Sequence, residues 1–353
     1  MQPLYLVTGA AGHLGNTVIQ GLLKEGAAAR ALVLPHELEA AREILGAKPE
    51  LIPGDVTDEK SLESFFTNPE GVELCVIHCA GVISITSGFD PLVYEVNVNG
   101  TRNIINLCKQ HGVSKLVYIS SVHAIPELPH GKLISETDIF SPDDVCGLYA
   151  KTKAEATQLV LDAANEGLNA CIVHPAGIIG PYDFGNGHGT QIVLDYLEGR
   201  LNVCVQGGYD FVDVRDVADG ILACCKNGKR GECYILSNSY YPVKEILDSL
   251  HEISGKRKIK TMLPLWLVRL FAPIAEVYYK LKKQTPLFTR YSIYTLQSNS
   301  LFSHDKATRE LGYNPRPIKQ TLLDTVQWLK TQGRIGKPLV KPRLKKRVRL
   351  ASN

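Results

Sequence analysis

Leu4-Tyr5-Leu6-Val7-Thr8-Gly9-Ala10-Ala11-Gly12-His13-Leu14-Gly15 is the stretch that decides the fold of this 353-residue chain. Leu4 to Val7 is an apolar run of strand length that stops at Thr8-Gly9. From His13 to Lys24 the apolar residues Leu14, Val18, Ile19, Leu22 and Leu23 recur at helical spacing, and the pattern ends near Gly26. Gly9, Gly12 and Gly15 therefore occupy a strand-to-helix turn. A side chain there would block a pyrophosphate or the helix–strand contact, and a helix N-terminus favours a phosphate. The turn predicts a dinucleotide site.

Working outward, apolar runs at Ala29–Leu34, Glu50–Pro53, Val72–Ala80, Lys115–Ser120 and Ala170–His174 read as further strands. Helical patterns at Glu37–Leu45, Ser61–Phe66, Pro91–His111 and about 147–166 lie between them. Strands alternating with helices at this spacing predict an α/β fold: a doubly wound parallel sheet with ligands at the carboxyl ends of its strands. The alternation breaks beyond Pro181. A helix over Val212–Cys225 and a strand over Cys233–Leu236 return to the sheet, which sets a dinucleotide-binding domain over 1–181 plus 211–237. Segments 182–210 and 238–332 are expected to form a smaller, mostly helical substrate cap, and 333–353 a basic tail.

Apolar residues make up 44% of the chain and charged residues 21%, enough for a sizeable core. The net charge of +3 hides an asymmetry: 334–353 carries eight basic residues and no acid, so the body alone is at −5. That body has no nucleic-acid footprint, and the tail has no aromatic residues for base stacking. The nine cysteines show no C-x-x-C pair and no metal spacing, so free thiols in a reducing cytoplasm are expected and no metal site. The first strand begins at Leu4, leaving no room for a signal peptide, and no apolar run reaches membrane-spanning length.

Tyr149 and Lys153 are four residues apart in a helical pattern, which places them on one face, one turn apart. A nearby ammonium and a cationic nicotinamide would favour the phenolate of a group whose reference pKa is near 10. Ser120-Ser121 stands at a strand end, where adjacent side chains point to opposite sides and only one can face a substrate. Together these groups suit proton transfer to a carbon-bound oxygen while a hydride moves to or from a nicotinamide. Asp55, after the third strand, either accepts a hydrogen bond from adenine or is a turn residue. The second strand ends Val33-Leu34-Pro35-His36, with neither the acid that binds a ribose 2′-hydroxyl nor an arginine for a 2′-phosphate. Absence of the acid tilts the expectation to NADP, with NAD the alternative.

These residues resemble the extended short-chain dehydrogenase/reductase family. The similarity is carried by Thr8–Gly15, Gly54-Asp55-Val56-Thr57-Asp58, His78-Cys79-Ala80-Gly81, Asn97-Val98-Asn99-Gly100-Thr101, Tyr118-Ile119-Ser120-Ser121, Tyr149-x-x-x-Lys153 and His174–Pro181. A weaker match runs through Phe211–Ala218 and Phe302–Tyr313, with Trp328 after it. The later motifs look most like the branch holding 3-beta-hydroxysteroid dehydrogenases, dihydroflavonol reductases and hopanoid-associated sugar epimerase-like proteins. The resemblance implies a Rossmann sheet, Tyr149 as acid/base, Lys153 as the group that holds the ribose and lowers the Tyr pKa, Ser121 as substrate orienter with Ser120 as fallback, and Asn97 as support. It implies coenzyme contacts from Gly9, Ala11, Gly12, His13, Leu14, Gly15, Asp55, Val56, Ala80, Gly81 and Pro175. A homodimer through helices equivalent to 91–111 and 147–166 is implied as well.

His123 either touches substrate or packs in its loop. Tyr182, Phe184 and His188 line the pocket or are ordinary loop residues. Met262–Lys283 is a broad apolar band, open to three readings: a buried cap helix, a lid over an apolar substrate, or a helix on a membrane surface. The expected activity is interconversion of a secondary alcohol and a ketone on an apolar cyclic molecule. The alternative is a nucleotide-sugar epimerase or dehydratase with tightly bound NAD, for which Arg200 and Arg215 are diphosphate candidates.

Overall fold

In the computed structural model the described residues are 3–68, 71–84, 88–264 and 290–335. The apolar band from 265 to 283 and the tail from 336 to 353 lie outside them. Seven parallel strands make the main sheet: β1 (Leu4–Thr8), β2 (Ala29–Val33), β3 (Glu50–Pro53), β4 (Leu74–His78), β5 (Lys115–Ile119), β6 (Ala170–Pro175) and, after three strands of the cap side, β10 (Cys233–Leu236). Their order is β10-β6-β5-β4-β1-β2-β3. The strand order reverses between β1 and β4, which puts the glycine turn at the switch point where doubly wound sheets bind ligands.

β4, β5 and β6 are buried along their whole length, which is why they read as unbroken apolar runs; β3 at the edge is half-exposed. Helices α1 (His13–Lys24), α2 (Leu38–Leu45), α3 (Glu63–Phe66), α4 (Pro91–Tyr94), α5 (Gly100–Gln110) and α6 (Leu148–Asn165) connect the strands. α7 (His188–Leu197), α8 (Val214–Asn227) and α9 (Val243–Ser254) follow. α1 packs on α8 and α5 on α6, giving helical layers that flank the sheet. The helix expected over 91–111 is interrupted: Glu95–Asn99 takes one π-helical turn between α4 and α5. The widened turn carries Asn97, whose inward amide bonds described below hold it there.

One core cluster runs from Tyr5 to Leu236 and takes in Ala307, Leu311 and Tyr313. A second joins α7, α9 and the helix Ile318–Thr331 through Val193, Leu194, Leu247, Leu250, Leu322 and Val326. Two small sheets border it: β7 (Gly177–Ile179), β9 (Gly208–Asp213) and β11 (Ser239–Pro242) in the order β11-β9-β7, and β8 (Cys204–Val205) with β12 (Met262–Leu263). The motif Asp213-Val214-Arg215-Asp216 fastens the parts. Asp213 caps α8 through the Arg215 N–H, Arg215 bridges Asp213 and Asp324 at 2.7 Å each, and Arg316 binds Asp216 at 2.7 Å. Among the described residues no helix is long and apolar enough to cross a membrane, and no His/Cys/Asp/Glu group could hold a metal ion. All nine cysteines are free thiols, Cys146 alone of them exposed.

Candidate active site

The glycine turn leaves room for a phosphate by geometry. Gly9 has φ +62°, and a Cβ on it would lie 2.8 Å from the Ala80 nitrogen. A Cβ on Gly15 would come within 2.2 Å of the Gly9 carbonyl oxygen. α1 begins after Gly12 with no side-chain cap and no acid in its first turn, so its first N–H groups point toward whatever sits over the turn. The donor set and the narrow cradle fit a dinucleotide pyrophosphate. His13 Nε2 bonds the Pro181 carbonyl at 2.9 Å, and the Asn16 amide donates to the Tyr182 carbonyl at 3.1 Å, so the 181–182 loop closes one side.

Ser121 follows β5 in extended conformation, and its Oγ accepts the His123 N–H at 3.3 Å. The neighbouring Ser120 Oγ is instead 2.6 Å from Thr157 Oγ1 on α6. The choice left open between the two serines thus has a packing answer: Ser120 is a sheet-to-helix fastener, and Ser121 faces Tyr149. Tyr149 stands in the first turn of α6 with only 8% of its surface exposed. Burial pushes its phenol up to about 12, opposed by the Ser121 hydroxyl bond. Burial pulls Lys153 down to about 8, with Cys79 pulling weakly the other way. The Lys153 ammonium donates to the Ile119 carbonyl at 2.7 Å and lies 4.9 Å from the centre of the Tyr118 ring. The lowered Tyr149 pKa that resemblance implies is therefore not a property of these side chains alone, because desolvation outweighs the help Tyr149 receives.

Beneath these groups runs a buried relay that sequence reading missed. The Ala80 N–H donates to Thr8 Oγ1 at 3.1 Å, and Thr8 Oγ1 is 2.7 Å from His78 Nδ1. His78 Nε2 is 3.1 Å from Thr101 Oγ1, which itself donates to the Asn97 carbonyl at 2.7 Å. Each hydroxyl has one hydrogen, so Thr101 must accept from Nε2–H and Thr8 must donate to Nδ1, fixing the tautomer of a neutral ring. Burial holds His78 at about 3, in keeping with that. Asn97 continues the chain: its amide clasps both backbone groups of Val82 at 2.8 and 3.0 Å and donates to Thr152 Oγ1 at 3.1 Å, and Thr152 donates to the Tyr149 carbonyl at 3.0 Å. The sequence marks Asn97 as support and His78 as the end of an apolar strand, without linking the two.

Other expected residues fall as follows. A Cβ on Gly81 would lie 3.4 Å from both Asn97 Oδ1 and Lys153 Nζ, so this glycine lets the chain pass close over them. Val56 is buried against Gly100, and Pro175 ends β6 beside Leu236. Ala11 and Leu14 are half-buried around the glycine turn. Asp55 closes a turn, its Oδ1 accepting from the Thr57 N–H at 2.9 Å and hydroxyl at 2.8 Å, so that oxygen is committed locally. Tyr182, at φ +72°, packs edge-on to Trp328, as does Phe184. Arg30 is buried and spent on Glu50 and the carbonyls of Phe65 and Thr67. Arg215 is committed to Asp213 and Asp324, and Arg200 to Asp195 and Glu198, which removes both as ready diphosphate anchors.

His123 joins the site from the cap side. Its ring is 6.1 Å from Tyr149, edge-on, and stacks on Tyr209 at 5.6 Å, with Nε2 2.7 Å from the Tyr209 hydroxyl. Tyr209 in turn meets Phe211 edge-on at 5.9 Å. Tyr209 was not singled out from sequence, although Tyr209 and Phe211 two apart on a strand announce one aromatic face.

The family model described as the NAD dependent epimerase/dehydratase family matches residues 5–237. The chain belongs to that family. It is an NAD(P)-dependent oxidoreductase of the extended short-chain type, in the 3-beta-hydroxysteroid dehydrogenase and dihydroflavonol reductase branch. It is 32% identical to sterol demethylase protein B of Methylococcus capsulatus, covering 94% of this chain and 99% of that one. It is 28% identical to 3beta-hydroxysteroid-dehydrogenase/decarboxylase isoform 1 of Arabidopsis thaliana, covering 93% and 80%. The crystal structure of gox2253 superposes with a TM-score of 0.81 at 30% identity, over 95% of this chain and all of the other.

Proposed function

We propose that this enzyme interconverts a secondary alcohol and a ketone on an apolar cyclic substrate, steroid- or flavonoid-like. The observation that carries the reading is the meeting of Ser121, Tyr149 and Lys153 at the carboxyl end of β5, faced by a wall of His123, Tyr209 and Phe211. The names of the Methylococcus and Arabidopsis relatives, a sterol and a steroid enzyme, support the substrate class.

In the reducing direction Tyr149 Oη gives its proton to the substrate oxygen while Ser121 donates a hydrogen bond to the same atom. A phenol held at about 12 keeps its proton at neutral pH, which suits an acid. When bound, the nicotinamide supplies the hydride to the carbonyl carbon, or takes it up in reverse, and its oxidised form adds a positive charge. In the oxidising direction the Tyr149 phenolate is the form that accepts the proton, an ionisation that the Lys153 ammonium one helical turn away and the positive charge of an oxidised nicotinamide would favour. Asn97 and the relay below it hold the Tyr149 backbone. With Leu34 where an acid would bind a ribose 2′-hydroxyl, NADP is the proposed coenzyme of the two. The free thiols fit a reducing compartment such as the cytoplasm.

The rival reading is a nucleotide-sugar epimerase or dehydratase with retained NAD. Its two diphosphate candidates, Arg200 and Arg215, are already paired, which favours the first reading. A spectrophotometric screen of 3-oxo and 3-hydroxy steroids, dihydroflavonols and simple alicyclic ketones, with NADP and NAD in parallel, tests the proposal. Turnover of an apolar ketone is the expected result. Purified protein that retains stoichiometric NAD and turns over only sugar nucleotides would replace it with the rival.

A further inference from the structure

We propose that His174 is a positioning residue for the reaction: its ring holds the Ser121 carbonyl and thereby aims the Ser121 hydroxyl at the substrate oxygen. The inference rests on the function proposed above and adds to it a residue that does not itself touch the substrate.

Ser121 lies just past the end of the paired strands. The register of β5 and β6 stops at Ile119 and Val173, and the Ser120 N–H donates to the Val173 carbonyl at 2.8 Å. Beyond that bond the chain enters the tight turn Val122–Ala124, which Ser121 caps. The Ala124 N–H donates to the Ser121 carbonyl at 3.0 Å, and the His123 N–H donates to Ser121 Oγ at 3.3 Å. These bonds shape the turn from within. His174 ties it to β6, with Nδ1 3.0 Å from the Ser121 carbonyl oxygen. Because Oγ accepts from His123, its own hydrogen is left to donate to a substrate oxygen.

A carbonyl has no hydrogen, so Nδ1 must be the donor and carries the ring proton. In a neutral ring Nε2 then holds only a lone pair. Burial keeps the ring neutral, pulling it down to about 4 against the opposing effect of the Ser121 bond. Nε2 is buried and has no hydrogen-bond partner among the described residues. A buried acceptor left unpaired is a cost that an apolar side chain of similar size would avoid. Packing alone therefore does not account for a histidine here, whereas the bond from Nδ1 does. Phe140 fixes the direction of that bond. It is buried and stacks on His174 with ring centres 5.2 Å apart and planes 9° apart. The Phe140 N–H donates to Gln158 Oε1 at 2.9 Å, and Gln158 belongs to α6, the helix that carries Tyr149 and Lys153. The ring that holds Ser121 is thus packed on a residue tied to the helix that presents Tyr149, which sets both hydroxyls in one frame.

Two measurements test the proposal. The first needs no substrate. Nitrogen NMR of protein labelled in its histidine rings, with the His174 signals assigned by their loss in His174→Asn, should show a protonated Nδ1 and an unprotonated Nε2. The opposite tautomer overturns the proposal. The second is steady-state kinetics with NADPH and the ketone turned over fastest among 3-oxo steroids, dihydroflavonols and alicyclic ketones. His174→Leu should lower kcat about tenfold, with KM and NADPH affinity within about twofold. The amide nitrogen of Asn takes the place of Nδ1 and that of Gln the place of Nε2. His174→Asn should therefore keep most of the rate, and His174→Gln should behave like His174→Leu. In a Ser121→Ala background, His174→Leu should cost less than about twofold more. A full second loss in that background, equal rates in the Asn and Gln variants, or an undiminished kcat in His174→Leu overturns the proposal while leaving Ser121 in the chemistry. Turnover unchanged by Ser121→Ala overturns the role given to Ser121 above, and this inference with it.

Discussion

The floor of the crevice and the wall the cap raises against it are built from opposite kinds of contact. The floor is a donor-to-acceptor chain, Ala80–Thr8–His78–Thr101–Asn97–Thr152–Tyr149, buried almost throughout and with each hydroxyl used twice. The wall is made of rings, His123 stacked on Tyr209 and Tyr209 edge-on to Phe211. A satisfied polar chain in low dielectric admits one geometry, since a break leaves a buried group unpaired. Rings in van der Waals contact tolerate substitution of similar volume. On the proposed function the floor is the part expected to fix the chemistry, and the wall the part expected to tune what is admitted.

Breaking the floor at its reacting end should have the largest effect. Tyr149→Phe removes the hydroxyl and should lower kcat by about 10²–10⁴ while leaving coenzyme affinity within about twofold. Steady-state rates beside a fluorescence titration of NADPH separate the two, and unchanged turnover would take Tyr149 out of the mechanism.

Lys153 sharpens the comparison through pH. Its folded pKa of about 8 lies below the ordinary 10.5, so between those values the unfolded chain holds a proton that the folded chain has released. Stability contributed by this group must rise with pH across that window, by about 3 kcal/mol in all. Buried thiols held up by desolvation, such as Cys79 at about 12, and Tyr149 work in the opposite sense at higher pH. The measurement is thus a difference: urea melts of wild type and Lys153→Met from pH 7 to 10, where the variant should gain most at the acid end. A difference independent of pH would mean Lys153 is not desolvated as described.

Gly15→Ala and the serine pair probe the floor more gently. The added methyl meets the Gly9 carbonyl at 2.2 Å, which should cost about 1–3 kcal/mol in melting and weaken coenzyme binding. Ser120→Ala should cost about 1 kcal/mol of stability and little turnover, since it unfastens Thr157 alone. Ser121→Ala should do the reverse. Equal losses of activity in both would dissolve the distinction between them.

The glycine turn and the Tyr149–Lys153 pair above the floor were legible in the sequence because they are local, whereas the floor itself was not. Strand, glycine turn and helix lie within twenty residues of one another, and Tyr149 and Lys153 are placed by helix pitch alone. What escaped was set by distance along the chain. Ser120 and Ser121 are told apart by Thr157, 37 positions on, and Arg215, a diphosphate candidate by type, is claimed by Asp324, 109 positions away. Asn97 could be named but not its π-helical turn, since nothing in the pattern over 91–111 marks where a helix widens. His78 read as a strand residue because its partners, Thr8 on β1 and Thr101 on α5, lie 70 and 23 positions away.

The wall should yield the smallest and most selective effect. Tyr209→Phe keeps the stacking on His123 and removes only the hydroxyl 2.7 Å from its Nε2. Burial holds His123 at about 4, so the ring is neutral and the lost bond is a neutral one, worth about 1 kcal/mol. If Tyr209 orients the wall rather than the reacting oxygen, KM should rise about fivefold with kcat nearly unchanged, and the pH profile should keep its shape. Tyr209→Ala, which opens the wall, should shift preference toward bulkier ketones by comparison of kcat/KM across a size series. A fall in kcat with KM constant would place Tyr209 in the chemistry and erase the division between floor and wall at this point.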